Sequence, residues 1–236
     1  ETLANTQDRA RIIRVPCGPR RYYRKEVLWP YLDEFTDNVL KYIRRVGRIP
    51  DVVHGHYADA GLAASRLSQL LGVPMVFTGH SLGRVKRERL LAKGMSPDRI
   101  ERVYNMSQRI EAEERALGNA WLVITSTGQE RDEQYKTYEN FHPSRMRVLP
   151  PGVDMDRFAP PRRSVLSSRA AKSISRFLEH PGKPLVLALS RPDEKKNIPT
   201  LVRSFAETPG LRDLANLAVI AGNREDLQAM DSGPSK

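Results

Sequence analysis

The stretch Met75-Val-Phe-Thr-Gly-His-Ser-Leu-Gly-Arg-Val-Lys86 is the part of the sequence that decides the fold. Its first four residues are mostly apolar or β-branched and predict a buried strand. The run stops at Gly79, and an imidazole, a hydroxyl and an ammonium group follow within a few residues. Ligands of open α/β sheets bind beyond the carboxyl ends of the strands. This loop is therefore a candidate site.

Two functions fit the loop. The run from Gly79 to Gly83 matches the Gly-x-Ser-x-Gly elbow of α/β-hydrolase esterases, which would make Ser81 a nucleophile. The alternative is a loop that binds a sugar and a phosphate. An esterase also needs a later Asp, a later His and an oxyanion-hole loop. The later histidines, His142 and His180, do not sit in strand-end loops and no His-Gly-Gly run occurs, so the esterase is the less favoured alternative.

Composition limits the classes of protein that fit. Of the 236 residues 39% are hydrophobic, and the mean hydropathy is −0.53, which is typical of a soluble globular protein. No stretch is long and apolar enough to cross a membrane. Cys17 is the only cysteine, which excludes an internal disulfide and favours a reducing compartment. Residues 1–14 lack the apolar core of a signal peptide, so a cytoplasmic location is expected.

The charge indicates the kind of ligand. A net charge of +11 and a pI of about 10.0 are typical of a basic surface or of a protein with an anionic ligand. Basic residues are spread along the chain and interleaved with acidic ones, and no RNA-binding aromatic signature, zinc pattern or basic zipper is present. We therefore expect small anionic substrates rather than nucleic acid.

The chain before the opening stretch predicts a βαβ unit. Periodicity indicates a strand, a helix with its aromatic residues in the core, a second strand and a second helix, over residues 11–16, 32–46, 52–56 and 60–71. Short turns between the later elements imply a parallel sheet. Its strand ends would bring Tyr57 and Asp59 beside His80 and Ser81. A carboxylate at the start of a helix also offsets the helix dipole, so Asp59 has a structural alternative.

Metal binding is not predicted. Period two along a strand puts His54 and His56 on the same face, and such a pair could bind a metal. No third ligand of a suitable type follows at a recognisable spacing. The sequence Asp154-Met-Asp156 matches the Asp-x-Asp pattern of metal-dependent glycosyltransferases, but it is short, lies in a turn and is interpreted as chance.

The second half predicts a second βαβ unit. Strands over 121–127 and 147–149 lead to Pro150-Pro-Gly152, which is a rigid turn and a candidate domain boundary. A linker with a short helix over 174–178 follows. Two further strands, over residues 184–189 and 217–222, flank a helix. Arg191 and Lys196 follow the first of them just before that helix, an arrangement that suits a phosphate or diphosphate.

The motifs, taken in order, resemble one family. They are Lys25–Tyr31, His56–Gly61, Phe77–Gly83, Arg109–Glu113, Ser126–Glu130, Pro150–Val153 and Ser190–Asn197. The set is similar to the sucrose-phosphate synthase family, which consists of retaining glycosyltransferases. The resemblance implies an α/β protein of the GT-B type, with two Rossmann-like domains built on parallel sheets. The second domain would be incomplete in this chain.

The resemblance also implies a reaction and its residues. Glucose would pass from UDP-glucose to fructose 6-phosphate, giving sucrose 6-phosphate, with no required cofactor or metal. The acceptor would be held by Lys25, Ser81, Lys86 and Arg109. The donor would be held by Tyr57, His80, Arg191 and Lys196. The catalytic residues would be His80, Asp59, Arg191 and Lys196.

Domain limits and alternatives follow from the same resemblance. Residues 1–158 would form an acceptor-binding domain that lacks its first strand-loop-helix, 159–183 a linker, and 184–236 the start of a nucleotide-sugar-binding domain. We therefore expect little or no transferase activity from this chain alone. Mannosylfructose-phosphate synthase, which uses GDP-mannose, is a close alternative, and a binding or regulatory module without catalysis is a more distant one. Sucrose-phosphate phosphatase is an expected partner.

Overall fold

The structure is a computed structural model that describes residues 10–160 and 168–221. The chain forms two compact units, residues 1–153 and 154–236. The predicted limits of the domains at residues 158 and 184 remain predictions, and residues 161–167 of the predicted linker and 222–236 of the predicted second domain lie outside the described part.

The first unit is built on a parallel sheet of four strands in the order β1-β2-β3-β4. The strands are β1 Val53–His56, β2 Met75–Thr78, β3 Leu122–Thr125 and β4 Met146–Val148. The helices are α1 Leu32–Val46, α2 Tyr57–Leu71, α3 Gly83–Ala92, α4 Pro97–Tyr104 and α5 Met106–Asn119. Helical turns also cover Lys25–Val27, Trp29–Tyr31, Glu130–Gln134, Tyr135–Thr137 and Pro143–Arg145. The predicted βαβ unit is confirmed, because β1 and β2 are parallel neighbours joined through α2.

The strand of the opening stretch lies at the centre of this unit. Met75 and Phe77 are fully buried, and β2 is hydrogen-bonded on both sides, to β1 and β3. A strand buried on both faces reads as a continuous apolar run, which explains why its bounds could be predicted. Its carboxyl end therefore lies between the ends of two neighbouring strands.

Helices α2 and α5 pack closely over the sheet. A methyl group added at Gly61 would lie 2.6 Å from Cε2 of Phe77 and 3.1 Å from Cβ of Ala116, so only a hydrogen fits there. The side-chain amide of Asn119 also donates to the carbonyl of Ser65 at 3.3 Å. This contact fixes where the C-terminal end of α5 lies against α2, and α5 carries several site residues.

Helix α1 forms where the sequence predicts it and ends at Gly47, whose φ is 72°. The prediction that its aromatic residues belong to the core is wrong in part. Phe35 and Tyr42 are only half-buried and line a groove of about 670 Å³ beside β1. Their periodicity marks the inward face of the helix, but that face is not fully covered by the described residues.

Two local predictions are wrong. Residues 11–16 do not form a strand, because only Arg11 makes a bridge and no ladder follows. Alternation alone does not make a strand when no neighbouring strand supplies hydrogen bonds. The short helix predicted over 174–178 lies earlier, as α6 Arg169–Ser175, because the Ser168 hydroxyl accepts a hydrogen bond from Ala171 N–H and starts the helix there.

The second unit contains a two-stranded parallel sheet. Its strands are β5 Leu185–Ser190 and β6 Asn216–Ala221, and its helices are α6, α7 Ile198–Glu207 and α8 Leu211–Leu214. Because β5 and β6 are parallel and α7 lies between them in sequence, the second predicted βαβ unit is confirmed.

No helix in the described part of the chain has the length and apolar character needed to span a bilayer.

Candidate active site

Three aromatic side chains meet beyond the ends of β1 and β2. His56 Nδ1 lies 2.7 Å from His80 Nε2, and their rings are stacked with centroids 5.0 Å apart. The Tyr57 ring lies 4.6 Å from the His80 ring. The parallel register aligns His56 with Thr78, so the residues that follow each strand leave the sheet side by side. The predicted meeting of Tyr57 and His80 is therefore present in the structure.

The backbone is strained at the same two positions. Tyr57 has φ 66° and His80 has φ 56°, a left-handed conformation that costs a non-glycine residue about 1–2 kcal/mol. Such strain clusters at functional sites, where the surrounding structure holds it in place. Both side chains remain exposed, and 52% of Tyr57 is accessible. They therefore form a surface that a ligand can reach.

The loop after His80 is held by a buried ion pair. Arg109, on α5, donates through Nη2 to the carbonyl oxygen of Ser81 and, at 3.3 Å, to its hydroxyl. Its Nε donates to Glu113 Oε1 at 3.0 Å. Glu113 is fully buried, and both its oxygens accept the backbone N–H of Gly83, at 3.0 and 2.8 Å. The carboxylate thus joins the start of α3 to Arg109.

Two tyrosine hydroxyls complete the support of this loop. Tyr135 accepts a hydrogen bond from Gly79 N–H at 2.9 Å, and Tyr138 donates to Glu113 Oε2 while accepting from Arg84 N–H at 3.1 Å. Burial raises the pKa of Tyr135 to about 12, and burial together with the Glu113 charge raises the pKa of Tyr138 further. Both phenols therefore stay protonated. Burial likewise raises the pKa of Glu113, against the opposing effect of its hydrogen-bond donors.

Gly79 is required by this packing. A methyl group there would lie 2.7 Å from the Tyr135 hydroxyl and 2.7 Å from Cδ2 of Leu82. The glycine spacing that resembles an esterase elbow thus has a steric origin in this chain. In an elbow the strained residue is the serine, whereas here the positive φ lies at His80.

The remaining acceptor candidates gather at the corner between α4 and α5. The Lys86 ammonium lies 3.8 Å from the centroid of the Tyr104 ring. The turn that carries the exposed Lys25 is tied to the same corner by two contacts, from Arg24 Nη2 to the Val103 carbonyl and from Asn105 Nδ2 to the Glu26 carbonyl. Arg109 follows one helical turn later. The structure therefore connects all four predicted acceptor residues, Lys25, Ser81, Lys86 and Arg109, to one corner.

Asp59 is placed differently from the other candidates. Its Oδ1 accepts the N–H of Ala60 at 3.0 Å in the first turn of α2. In residues 10–160 no hydrogen bond or ion pair joins Asp59 to His80. This geometry fits the helix-dipole role, and the catalytic role of Asp59 remains a prediction.

The donor candidates of the second unit lie beyond the end of β5. Arg191 is exposed and its Nη2 lies 3.3 Å from Asp193 Oδ2. Lys196 is exposed in the turn Glu194–Lys196, directly before α7. The structure thus places both cations between a strand end and a helix start, as the sequence predicts.

No group of three or more His, Cys, Asp or Glu that could hold a metal occurs within residues 10–160 and 168–221. Asp154 Oδ1 accepts the N–H groups of Asp156 and Arg157 at 3.1 and 3.0 Å, which explains the Asp-x-Asp spacing as a turn.

Sequence reasoning missed several site residues. Glu113 lies in the motif Arg109–Glu113, and its spacing of four residues from Arg109 on one helix is the signal that could have identified it as the partner of that arginine. His56 was considered only as a metal ligand. Tyr135 and Tyr138 gave no signal, because they lie in a polar segment without a clear period.

The fold and the site define a class of protein. The profile of glycosyltransferase family 4 matches residues 2–157. The chain belongs to this family. Its fold is of the GT-B type, as in a sucrose-phosphate synthase structure from Thermosynechococcus elongatus, which is 24% identical with a TM-score of 0.67 over 93% of this chain and 48% of that one. An Anabaena protein, HepE, solved with UDP and glucose, is 13% identical with a TM-score of 0.54 over 89% of this chain and 48% of its own.

Within the family, the chain is similar to plant sucrose-phosphate synthases. It is 44% identical to probable sucrose-phosphate synthase 1 of Oryza sativa subsp. indica, over 95% of this chain and 25% of that protein. It is 43% identical to sucrose-phosphate synthase of Zea mays, over 95% of this chain and 26% of that protein. The chain therefore spans about a quarter of the length of these curated relatives.

Proposed function

We propose that this chain carries the acceptor side, and part of the donor side, of a retaining glycosyltransferase that moves glucose from UDP-glucose to fructose 6-phosphate. The product is sucrose 6-phosphate. The observation that carries the proposal is the strand-end site of the first unit, where an exposed imidazole and tyrosine lie beside a loop held by Arg109. The sequence identity of 44% to a probable sucrose-phosphate synthase supports the choice of substrates.

The acceptor phosphate is assigned to the α4–α5 corner. A sugar phosphate carries two negative charges near neutral pH, and Lys25, Lys86 and Arg109 supply cations from three separate elements. An arginine forms charge-assisted hydrogen bonds with phosphate oxygens. Because Arg109 uses Nε for Glu113 and Nη2 for Ser81, its Nη1 is the nitrogen we assign to the phosphate. The ammonium groups of Lys25 and Lys86 add charge without fixed geometry.

The donor diphosphate is assigned to Arg191 and Lys196. The leaving nucleoside diphosphate gains negative charge as the glycosidic bond breaks, so cations fixed near it lower the barrier. Both side chains are exposed at a strand end that leads into α7. The UDP complex of the HepE relative supports a nucleotide at this kind of fold. No metal or other cofactor is proposed.

Two alternatives differ from this reaction, one in its donor and the other in its chemistry. Mannosylfructose-phosphate synthase would keep the acceptor and replace the donor with GDP-mannose. An esterase would need a histidine at the Ser81 hydroxyl, yet in the described part of the chain this hydroxyl is bonded to Arg109 and to no imidazole. We therefore place the esterase last.

The test is a transfer assay with four substrate pairs. UDP-glucose or GDP-mannose is offered with fructose 6-phosphate or fructose, both to this chain and to the longest natural polypeptide that contains it. We expect transfer only from UDP-glucose to fructose 6-phosphate, and little or none by the 236-residue chain alone. Equal rates for the two acceptors would remove the phosphate assignment, and a preference for GDP-mannose would select the alternative donor.

Two charge variants sharpen the acceptor test. Lys86→Ala should raise KM for fructose 6-phosphate by about tenfold, because a phosphate loses one partly exposed cation worth about 1.4 kcal/mol. Lys93→Ala, at the end of the same helix, is the matched control and should leave KM unchanged. An equal effect of both substitutions would indicate a general loss of positive charge rather than a phosphate site.

A further inference from the structure

The imidazole pair contains a residue that the proposed reaction leaves without a role. His80 faces the donor sugar in that proposal, whereas His56 belongs to the preceding strand. The two rings nevertheless share a hydrogen bond of 2.7 Å between His56 Nδ1 and His80 Nε2. A nitrogen that is bonded in this way determines what the other nitrogen of the same ring can do.

The His56 ring is held from both sides. The His54 ring lies 4.1 Å away on one side, and the His80 ring lies 5.0 Å away on the other. His54 is itself tied to the sheet, since its Nε2 lies 2.9 Å from the Thr78 hydroxyl. These contacts favour the ring orientation in which His56 Nδ1 is directed at His80 Nε2.

Only one proton fits between the two bonded nitrogens. Either His56 donates, and both rings carry their proton on Nδ1, or His80 donates, and both rings carry it on Nε2. The Nε2–H form is the more stable tautomer of a neutral histidine side chain in water. The arrangement in which His80 donates places both histidines in this more stable form, so both residues favour it.

We propose that His56 is a positioning residue for His80: it accepts the Nε2–H of His80 and thereby leaves the His80 Nδ1 lone pair free to accept a hydrogen bond from a ligand. A lone pair selects a hydroxyl group, because a phosphate or carboxylate oxygen has no proton to donate. This inference rests on the proposed function, because the hexose of the proposed reaction is the ligand that offers such hydroxyls.

The surroundings of the pair agree with a neutral His80. The titratable groups that face it are His54 on β1, Tyr57 on α2 and Glu130 in the segment after β3. Burial, followed by the charge of His56, lowers the pKa of His80, and Glu130 acts weakly in the opposite direction. Burial and the other two imidazoles also lower the pKa of His54. Both shifts favour the neutral forms of His54 and His80 near neutral pH.

The test reads the tautomer directly. The whole chain contains five histidines, so two-bond ¹⁵N–¹H correlation spectra of ¹⁵N-histidine-labelled protein can be assigned by single substitutions. At neutral pH we expect His80 with Nε2 protonated and Nδ1 unprotonated. A His80 found with Nδ1 protonated, or as an even mixture of both forms, would overturn the proposal.

Three variants separate positioning from a general effect. His56→Ala removes the acceptor, so His80 should become a mixture of tautomers and its pKa should rise. His56→Asp supplies an acceptor that cannot donate, so His80 should keep Nε2–H while its pKa rises. His142→Ala, at an exposed position outside the pair, should change neither property of His80. Retention of a pure Nε2–H form in His56→Ala would refute the role of His56.

The readout is independent of catalysis. The spectra need no substrate, so a failed transfer assay with the expected tautomer would reject the proposed reaction and leave the positioning role intact. If transfer occurs as expected but His56→Ala leaves the His80 tautomer unchanged, the positioning role is rejected and the proposed reaction stands. Backbone amide spectra of each variant establish that the fold is retained.

Discussion

Removal of the Glu113 carboxylate should destabilise the first unit far more than removal of the exposed Glu111 carboxylate on the same helix. In the native protein this fully buried group accepts hydrogen bonds from Gly83 N–H, Arg109 Nε–H and the Tyr138 hydroxyl. Glu113→Ala leaves a buried guanidinium without its counter-charge. Breaking a buried ion pair in this way costs about 3–5 kcal/mol, which is a large part of the stability of a typical domain.

A matched control lies on the same helix. Glu111 pairs with Arg115, but both side chains are more than half exposed, so Glu111→Ala should change the free energy of unfolding by about 1 kcal/mol or less. The same substitution on the same helix cancels the difference in helix propensity. Glu113→Gln should fall between the two, because its amide oxygen can still accept the Gly83 N–H.

The assay is urea unfolding followed by tryptophan fluorescence. The two tryptophans, Trp29 and Trp121, both lie in the first unit, so the signal reports that unit alone. We expect the midpoint of Glu113→Ala to fall well below that of Glu111→Ala at an unchanged slope. A difference below about 1 kcal/mol between the two variants would contradict the claim that this carboxylate holds the loop together.

Three further predictions concern packing, strain and pH. Gly61→Ala should destabilise the first unit by about 1–3 kcal/mol in the same urea assay through overpacking, whereas Gly128→Ala, with no atom nearer than 4.0 Å, should have little effect. Tyr57→Gly should raise the free energy of unfolding by about 1 kcal/mol, because glycine tolerates φ 66°. A lower melting temperature would refute this gain in stability. The same substitution should weaken donor binding. The pKa values of His54 and His80 are lowered in the folded chain, so the unfolded chain binds more protons below about pH 6.5 and the free energy of unfolding should fall there. Melting curves between pH 5 and 8 should show a weaker decline when both histidines are replaced by asparagine.

The sheet could be predicted because its strands carry strong local signals. Met75–Thr78 is mostly apolar and ends at a glycine, so its bounds and its parallel pairing with the preceding strand follow from the sequence. The contact between His54 and His56 follows from period two, and the two rings indeed lie 4.1 Å apart. The strand predicted at 11–16 failed because alternation does not reveal whether a partner strand lies alongside.

The support of the site could not be predicted in the same way. A glutamate in a charged helix is normally exposed to solvent, and the burial of Glu113 depends on how α5 meets α3 and the distant Tyr138. The hydrogen bond from Arg109 to the Ser81 carbonyl likewise exists only when the Ser81 loop has folded against α5. Long-range packing, rather than any local pattern, decides these contacts.

The imidazole pair also has a consequence for the order in which the chain acquires its structure. His56 and His80 are only 24 positions apart, and one crossover joins them. Short loops close rapidly and at a low entropic cost. Both histidines therefore leave the ribosome before residues 109–138, which support the neighbouring loop, and the His80 resonances would report when the first βαβ unit of a refolding chain has formed.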